Sequence, residues 1–262
     1  MLSSTKTETG VRDKTGSGEK ARRTFLTAQW LNLAMINYQI DPELLLPLVP
    51  LGTELDSWNG RTFVSLVGFR FMRTRVVGFR IPFHSNFEEI NLRFYVRRKG
   101  PEGWRRGVVF VREIVPRIAI STAARWLYGE KYVALPMRHE IIESTGRQET
   151  SVSYMFKNRG KWNGLGVSVA GPACAAEPDS VEEFITEHYW GYTRLKGLKR
   201  GGSLEYRVEH PRWLVWQAVN SSVEIDAGSI YGEAFADCLS RKPASAFLAE
   251  GSDVAVRMGV RI

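Results

Sequence analysis

The chain has 262 residues and a mass of 29.7 kDa, enough for one large domain, and its 44% hydrophobic content is that of a folded globular protein, not a disordered chain. Lys and Arg (36) exceed Asp and Glu (28) by eight, a modest and dispersed excess that ranks nucleic acid last among partners. The longest apolar stretches, 44–51 and 213–219, are too short to cross a bilayer, which needs roughly 20 residues, so no membrane partner is expected.

In chain order, residues 1–23 are rich in Ser, Thr, Gly and Lys, with six basic and three acidic side chains and no apolar run of a secretory signal. A disordered basic tail is expected there, and a single domain over 24–262. Asp41-Pro42-Glu43 supplies an N-cap, a proline at the first helical position and an acidic first turn, so a short helix is expected through Leu44–Leu46, limited by Pro47 and Pro50. Strands are expected over 61–71, 87–97 and 104–114, with turn signals at Asn59-Gly60 and Gly100-Pro101. The Ala-rich stretch 116–128, ending at Gly129, reads as a helix. Strands follow over 137–143, 151–157 and 164–169, and Ser180 with Glu183 has capping-box spacing for another helix. The last strands are expected over 203–209, 214–223 and 254–260. The whole is a β-rich α+β domain, a large curved antiparallel sheet with a few flanking helices.

Cys174 and Cys238 form no CxxC pair and have no adjacent histidine, so neither a zinc site nor a redox motif is expected, and a reducing cytoplasm is the compartment they suit. No GxGxxG, P-loop, GxSxG or HExxH string occurs, and no His, Asp and Glu spacing predicts a metal site; no cofactor and no metal are expected. The basic clusters at Arg97, Arg98, Lys99, Arg105 and Arg106 and at Arg194, Lys196, Lys199 and Arg200 fall beside turn signals and read as solvated loops. Trp30, Tyr38, Trp126, Trp190, Trp213 and Trp216 suit a core or a pocket wall.

Several strings fall in a recognisable order. They include Trp30-Leu31-Asn32, Asp41-Pro42-Glu43-Leu44, Leu48-Val49-Pro50-Leu51-Gly52, Val64-Ser65-Leu66-Val67-Gly68-Phe69 and Ile81-Pro82-Phe83-His84. They continue with Phe87-Glu88-Glu89-Ile90-Asn91-Leu92-Arg93, Phe184-Ile185-Thr186-Glu187-His188-Tyr189 and Val208-Glu209-His210-Pro211-Arg212-Trp213. Together they resemble a YqjF-like family of uncharacterised proteins, which in turn looks like a branch of the acetoacetate-decarboxylase-like superfamily. The resemblance implies a curved sheet closing into a barrel or cone around a pocket. In those decarboxylases a lysine of low pKa forms a Schiff base with a keto acid. The matching stretch here, Arg125 to Val133, places Tyr132 at the Schiff-base lysine and Val133 at its cationic neighbour. A phenol forms no imine, and Lys131, one residue away, leaves the backbone in another direction unless the register slips.

The resemblance also matches Glu89 to a glutamate near the reacting centre. On a strand through 87–96, Glu89, Asn91, Arg93 and Tyr95 share one face, while Ile90, Leu92 and Phe94 share the other. That polar face is either solvated or, as the resemblance implies, part of a pocket. In a pocket, Arg93 would hold a carboxylate, Asn91 a carbonyl or hydroxyl, Glu89 would act as acid or base, and Tyr132 would donate to an oxyanion. Alternatively, Glu89 and Arg93 form a buried ion pair. His84 stands at the pocket rim or bonds to a loop backbone; His210 reaches the site or braces the turn before Trp213; His139 and His188 read as structural or exposed.

Two functions follow. One is an enzyme acting on a small carbonyl or carboxylate compound by acid–base chemistry without a Schiff base, with Glu89 and Tyr132 catalytic and Asn91, Arg93, His84 and His210 binding substrate. The other is a non-catalytic small-molecule binding protein on the same scaffold. Exposed sheet edges would allow a homodimer.

Overall fold

The computed structural model describes residues 22–80, 82, 84–116, 131–144, 149–195 and 202–262. Sixteen strands are found among them. The first eight are β1 (Thr24–Ile40), β2 (Glu54–Leu55), β3 (Thr62–Val76), β4 (Phe79–Arg80), β5 (Phe87–Gly100), β6 (Gly103–Val115), β7 (Tyr132–Ala134) and β8 (Met137–Ser144). The others are β9 (Glu149–Asn158), β10 (Lys161–Ala170), β11 (Cys174–Ala175), β12 (Trp190–Arg194), β13 (Ser203–Glu209), β14 (Leu214–Glu224), β15 (Ser245–Arg257) and β16 (Val260–Arg261). Four short helices accompany them: α1 (Pro42–Leu45), α2 (Val181–Thr186), α3 (Ala227–Tyr231) and α4 (Glu233–Ser240).

The two N-terminal signals act as expected. The Asp41 side chain accepts from the Glu43 amide at 2.9 Å to open α1, and the Ser180 hydroxyl accepts from the Glu183 amide at 3.1 Å to open α2. The helix expected over 116–128 lies, from 117 onward, outside the described residues, as does the tail up to residue 21. Arg22 and Arg23, assigned to that tail, are tied down: Arg22 pairs with Glu205 at 3.2 Å, and the Arg23 carbonyl accepts from the Met258 amide.

The hydrogen-bonded strand order is β16-β13-β12-β6-β5-β3-β1-β15-β14-β10-β9-β8, and an additional β13–β15 pairing joins the path to itself. Seven strands, β1, β3, β5, β6, β12, β13 and β15, thus make a ring, and β14, β10, β9 and β8 continue as a second layer. Pairing is antiparallel, as expected from the sequence, except between β6 and β7 and between β6 and β12, which run parallel.

Both faces of the ring wall are buried. Along β5 the even positions Ile90, Leu92, Phe94 and Val96 pack with Val152, Tyr154, Phe156, Leu165 and Val167 of the second layer. The odd positions of β3 and β5, such as Phe69, Phe71, Phe87 and Tyr95, face a separate cluster with Met35, Phe184 and Trp213. The β5–β6 ladder contains a bulge: Leu92 pairs with Arg112 but Arg93 with Phe110, which leaves Val111 as an extra residue.

The cluster around Arg97 and Arg105 is not a set of solvated loop charges. Arg98 and Arg105 reach from the β5–β6 hairpin to the fully buried Glu205 on β13 at 3.1 and 2.6 Å, and Arg106 binds Asp56 at 2.7 Å. Turn residues Gly100-Pro101 sit at the hairpin tip, so the arginines before and after it lie on strands, where Arg98 and Arg105 meet Glu205 and Arg97 meets Glu54 of the adjacent β2.

Candidate functional site

A cavity of about 120 Å³ lies on the odd face of β3 and β5, and each of the seven ring strands contributes to its wall. Most of the wall is apolar, with Trp30, Phe69, Phe71, Phe110, Trp190 and Trp213. Its polar side chains are few: Glu89, Asn91 and Arg93 of β5, Glu113 of β6, Tyr132 of β7, then Thr186, His188, Tyr206 and His210. An apolar wall with a few convergent polar groups is the usual make-up of a small-molecule site.

Glu89, Asn91 and Arg93 reach the cavity together because they alternate along one extended strand, each nine-tenths or more buried. The Asn91 amide donates to Glu89 Oε1 at 2.9 Å, and the Tyr132 hydroxyl makes a long contact with Glu89 Oε2 at 3.4 Å. Burial pushes the Glu89 carboxyl up to about 7, against the opposing pull of the Asn91 and Tyr132 hydrogen bonds and of the Arg93 charge. Burial, with the Glu113 charge beside it, raises the Tyr132 phenol well above its usual value, so Tyr132 carries its proton at neutral pH.

Arg93 is not ion-paired with Glu89. Among the described residues no carboxylate lies within salt-bridge distance of its guanidinium; Nη2 donates to the Ile185 carbonyl at 3.4 Å, near Met35 Sδ at 4.0 Å. The guanidinium also lies over the Tyr95 ring, 5.8 Å from the centroid; a buried cation whose contacts among the described residues are a carbonyl, a sulfur and a ring face has capacity left for an anionic guest.

Glu113 and His188 were not legible as site residues. Glu113 enters because the Val111 bulge reverses the alternation of β6: Val108 and Phe110 line the cavity, and so does Glu113, opposite both Asn91 and Tyr132. His188, read from sequence as structural or exposed, is buried and lines the cavity. Its Nε2 lies 3.3 Å from Asp56 Oδ2, and its ring packs on Tyr95 and Phe184. The only sequence signal was its place in the family string around Phe184-Ile185-Thr186.

His210 both lines the cavity and braces the turn, donating to the Pro211 carbonyl at 2.8 Å and stacking on Trp213 at 4.1 Å. His84 is not in the cavity wall: it precedes β5 in a half-buried loop and its Nδ1 donates to the Pro82 carbonyl at 2.7 Å, which corrects its assignment as a substrate-binding residue. His139 is on the opposite face, 2.6 Å from Glu88. Lys131 is exposed and absent from the wall, and no lysine lines the cavity among the described residues. Nor do three or more His, Cys, Asp or Glu side chains converge as a metal site among them. No helix among the described residues is long and apolar enough to span a membrane.

The chain is similar to known proteins at two levels. In sequence, a relative is the uncharacterized protein YqjF of Bacillus subtilis (strain 168), 27% identical over 207 residues that cover 77% of this chain and 78% of that one. In structure, the enduracididine biosynthesis enzyme MppR complexed with pyruvate superposes with a TM-score of 0.64 at 11% identity, covering 95% of this chain and 94% of that one. Acetoacetate decarboxylase from Legionella pneumophila gives 0.64 at 13% identity, over 100% and 98% of the two chains. An acetoacetate decarboxylase-like enzyme from Sphingomonas wittichii gives 0.61 at 14%, over 97% and 99%. These neighbours establish the fold. Residues 27–253 match the DUF2071 family model, and the chain therefore belongs to DUF2071, a family of uncharacterized conserved proteins, on an acetoacetate decarboxylase-like scaffold.

Proposed function

We propose that the protein binds a small carboxylate or carbonyl compound inside the closed β scaffold and performs acid–base chemistry on it without a Schiff base. The observation that carries this reading is the buried Arg93 guanidinium, without a carboxylate partner among the described residues, in the same cavity as a Glu89 carboxyl that titrates near neutral pH. Arg93 grips the carboxylate through its planar fork of N–H donors. Glu89, present in both protonation states near pH 7, takes or gives a proton at the neighbouring carbon or oxygen, and Tyr132 donates to a developing oxyanion. The apolar wall excludes water and strengthens each of these interactions.

Size restricts the guest. A cavity of about 120 Å³ is slightly smaller than the roughly 150 Å³ engineered cavity that holds benzene, so about six non-hydrogen atoms fit. Pyruvate, the compound seen in MppR, is of that size. The test is thermal unfolding of the wild type and Arg93→Ala against a panel of small carboxylates. Saturating ligand should raise the wild-type Tm by several degrees and leave the variant unmoved. Equal shifts in both proteins would remove Arg93 from the site.

A second reading, binding without catalysis, is favoured by the absence of lysine from the cavity wall among the described residues. It differs in outcome: ligands shift Tm, yet none is converted. In either case the reading places the protein in a reducing cytoplasm, with Cys174 and Cys238 unbridged, and pairs two copies through an open sheet edge such as β8.

A further inference from the structure

We infer that the cavity selects a small hydroxycarboxylate, a carboxylate that also bears a hydroxyl group, over the oxo acid of the same carbon skeleton. This rests on the reading that Arg93 holds a ligand carboxylate, and adds the second functional group of the ligand.

The argument starts at Asp56. Its Oδ1 accepts from the Ser57 amide at 3.0 Å, and its Oδ2 accepts from Arg106 Nε at 2.7 Å and faces His188 Nε2 at 3.3 Å. Burial works against ionisation of Asp56, but the His188 and Arg106 hydrogen bonds outweigh it and hold the carboxyl down to about 2. An ionised carboxylate has no proton to donate, so His188 Nε2 must carry the hydrogen between them. Burial also keeps His188 from taking a second proton, and the Arg106 and Arg93 charges act in the same sense. The tautomer is thereby fixed: Nδ1 bears a lone pair, is buried, and meets no hydrogen-bond partner among the described residues.

Asn91 presents a second acceptor. Its Nδ2 is engaged with Glu89, which leaves Oδ1 as the buried amide atom without a partner among the described residues. The cavity-lining side chains also hold two buried donors in the same condition, Arg93 Nε and Trp30 Nε1. A guest that complements this set must both accept and donate.

At neutral pH an oxo acid such as pyruvate carries acceptors alone. It satisfies Arg93 and Trp30 and leaves His188 Nδ1 and Asn91 Oδ1 buried and unpaired, which is where a polar site penalises the wrong ligand most. A hydroxy acid such as lactate has the same number of heavy atoms and one O–H to give, which goes to His188 Nδ1, the acceptor on the Arg93 side of the cavity. Arg93 and His188 lie close to one another: Arg93 Nη2 bonds the Ile185 carbonyl, three residues before His188.

Isothermal titration of the full chain with lactate and with pyruvate tests this. The wild type should bind lactate at least tenfold more tightly. His188→Phe, which keeps a ring but removes the acceptor, should bring the two affinities within about twofold through loss of lactate binding, and Arg93→Ala should lose both ligands. Because the Phe variant risks misfolding, nitrogen-15 NMR of wild-type histidines supplies an independent reading: His188 Nδ1 should show the chemical shift of an unprotonated ring nitrogen at pH 7. Equal or tighter binding of pyruvate, an unchanged preference in a folded His188→Phe, or a protonated Nδ1 overturns the inference while Arg93-dependent binding stands. Failure of the wild type to bind either acid, or binding that ignores Arg93→Ala, defeats the parent reading and this one with it.

Discussion

At the scale of single residues, the site is governed by what burial does to charge. Glu89 titrates higher in the folded chain than in the unfolded one, so it favours folding fully below about pH 4.5, and that contribution is lost as pH rises through about 7. His188 acts in the opposite direction: its folded value is lowered to about 4, so its contribution is present above the unfolded value near 6.5 and is lost as pH falls through 4. Glu89→Gln removes only the first effect. Relative to the wild type, this variant should gain roughly 1–3 kcal/mol of stability on going from pH 4 to pH 8, read by urea unfolding at each pH; a difference that does not depend on pH would show that Glu89 is not desolvated. A second residue-scale expectation concerns Lys131, whose side chain is exposed while Tyr132 takes the inward position. Borohydride treatment with small keto acids should leave the protein mass unchanged, and an adduct on Lys131 would restore imine chemistry.

At the scale of elements, alternation along a strand was readable and its interruptions were not. The odd positions of β5 face one way because successive side chains of an extended chain point to opposite sides, which needs no knowledge of neighbours. The bulge at Val111 has no local signature in a run of valines and phenylalanine, yet it decides that Glu113 joins the site. Strand β1, the longest in the molecule among the described residues, escaped detection for a related reason: its Leu, Ala and Met residues suit helix as well as strand, and Asn32, with φ of 55°, breaks its period. Helices α3 and α4 were missed because each is short and Gly232, with φ of 100°, divides them. Gly251 allows β15 to run close to β1. Its φ is 87°, and a Cβ there would collide with the Trp30 carbonyl oxygen. Gly251→Ala should therefore cost roughly 2–3 kcal/mol in urea unfolding and weaken ligand-induced stabilisation, since Trp30 belongs to the cavity wall.

At the scale of the whole molecule, ring closure places one polar strand face in the wall of a cavity of about 120 Å³. Glu205 on β13 draws together Arg22 ahead of β1, Arg98 on β5 and Arg105 on β6, and accepts from the Tyr192 hydroxyl at 3.1 Å. Removing the shared carboxylate takes the central anion away from three guanidinium groups, of which Arg105 keeps its pair with Glu102, so Glu205→Ala should destabilise by roughly 3 kcal/mol. The loss should be nearly the same at 0.05 M and 0.5 M NaCl, because buried pairs are weakly screened; a strongly salt-dependent loss would mean that the cluster is solvated. The sequence by itself determined the β-rich class, the first two helix starts and the grouping of Glu89, Asn91 and Arg93, since capping, turn chemistry and alternation act over a few residues. Only the tertiary structure decided that this polar face is buried, that Arg93 and Glu89 stand apart, and that Asp56 meets His188 across 132 residues of chain. Those outcomes depend on the β13–β15 pairing and on one extra residue in β6, and the free energy of such long-range contacts is not written in any local pattern.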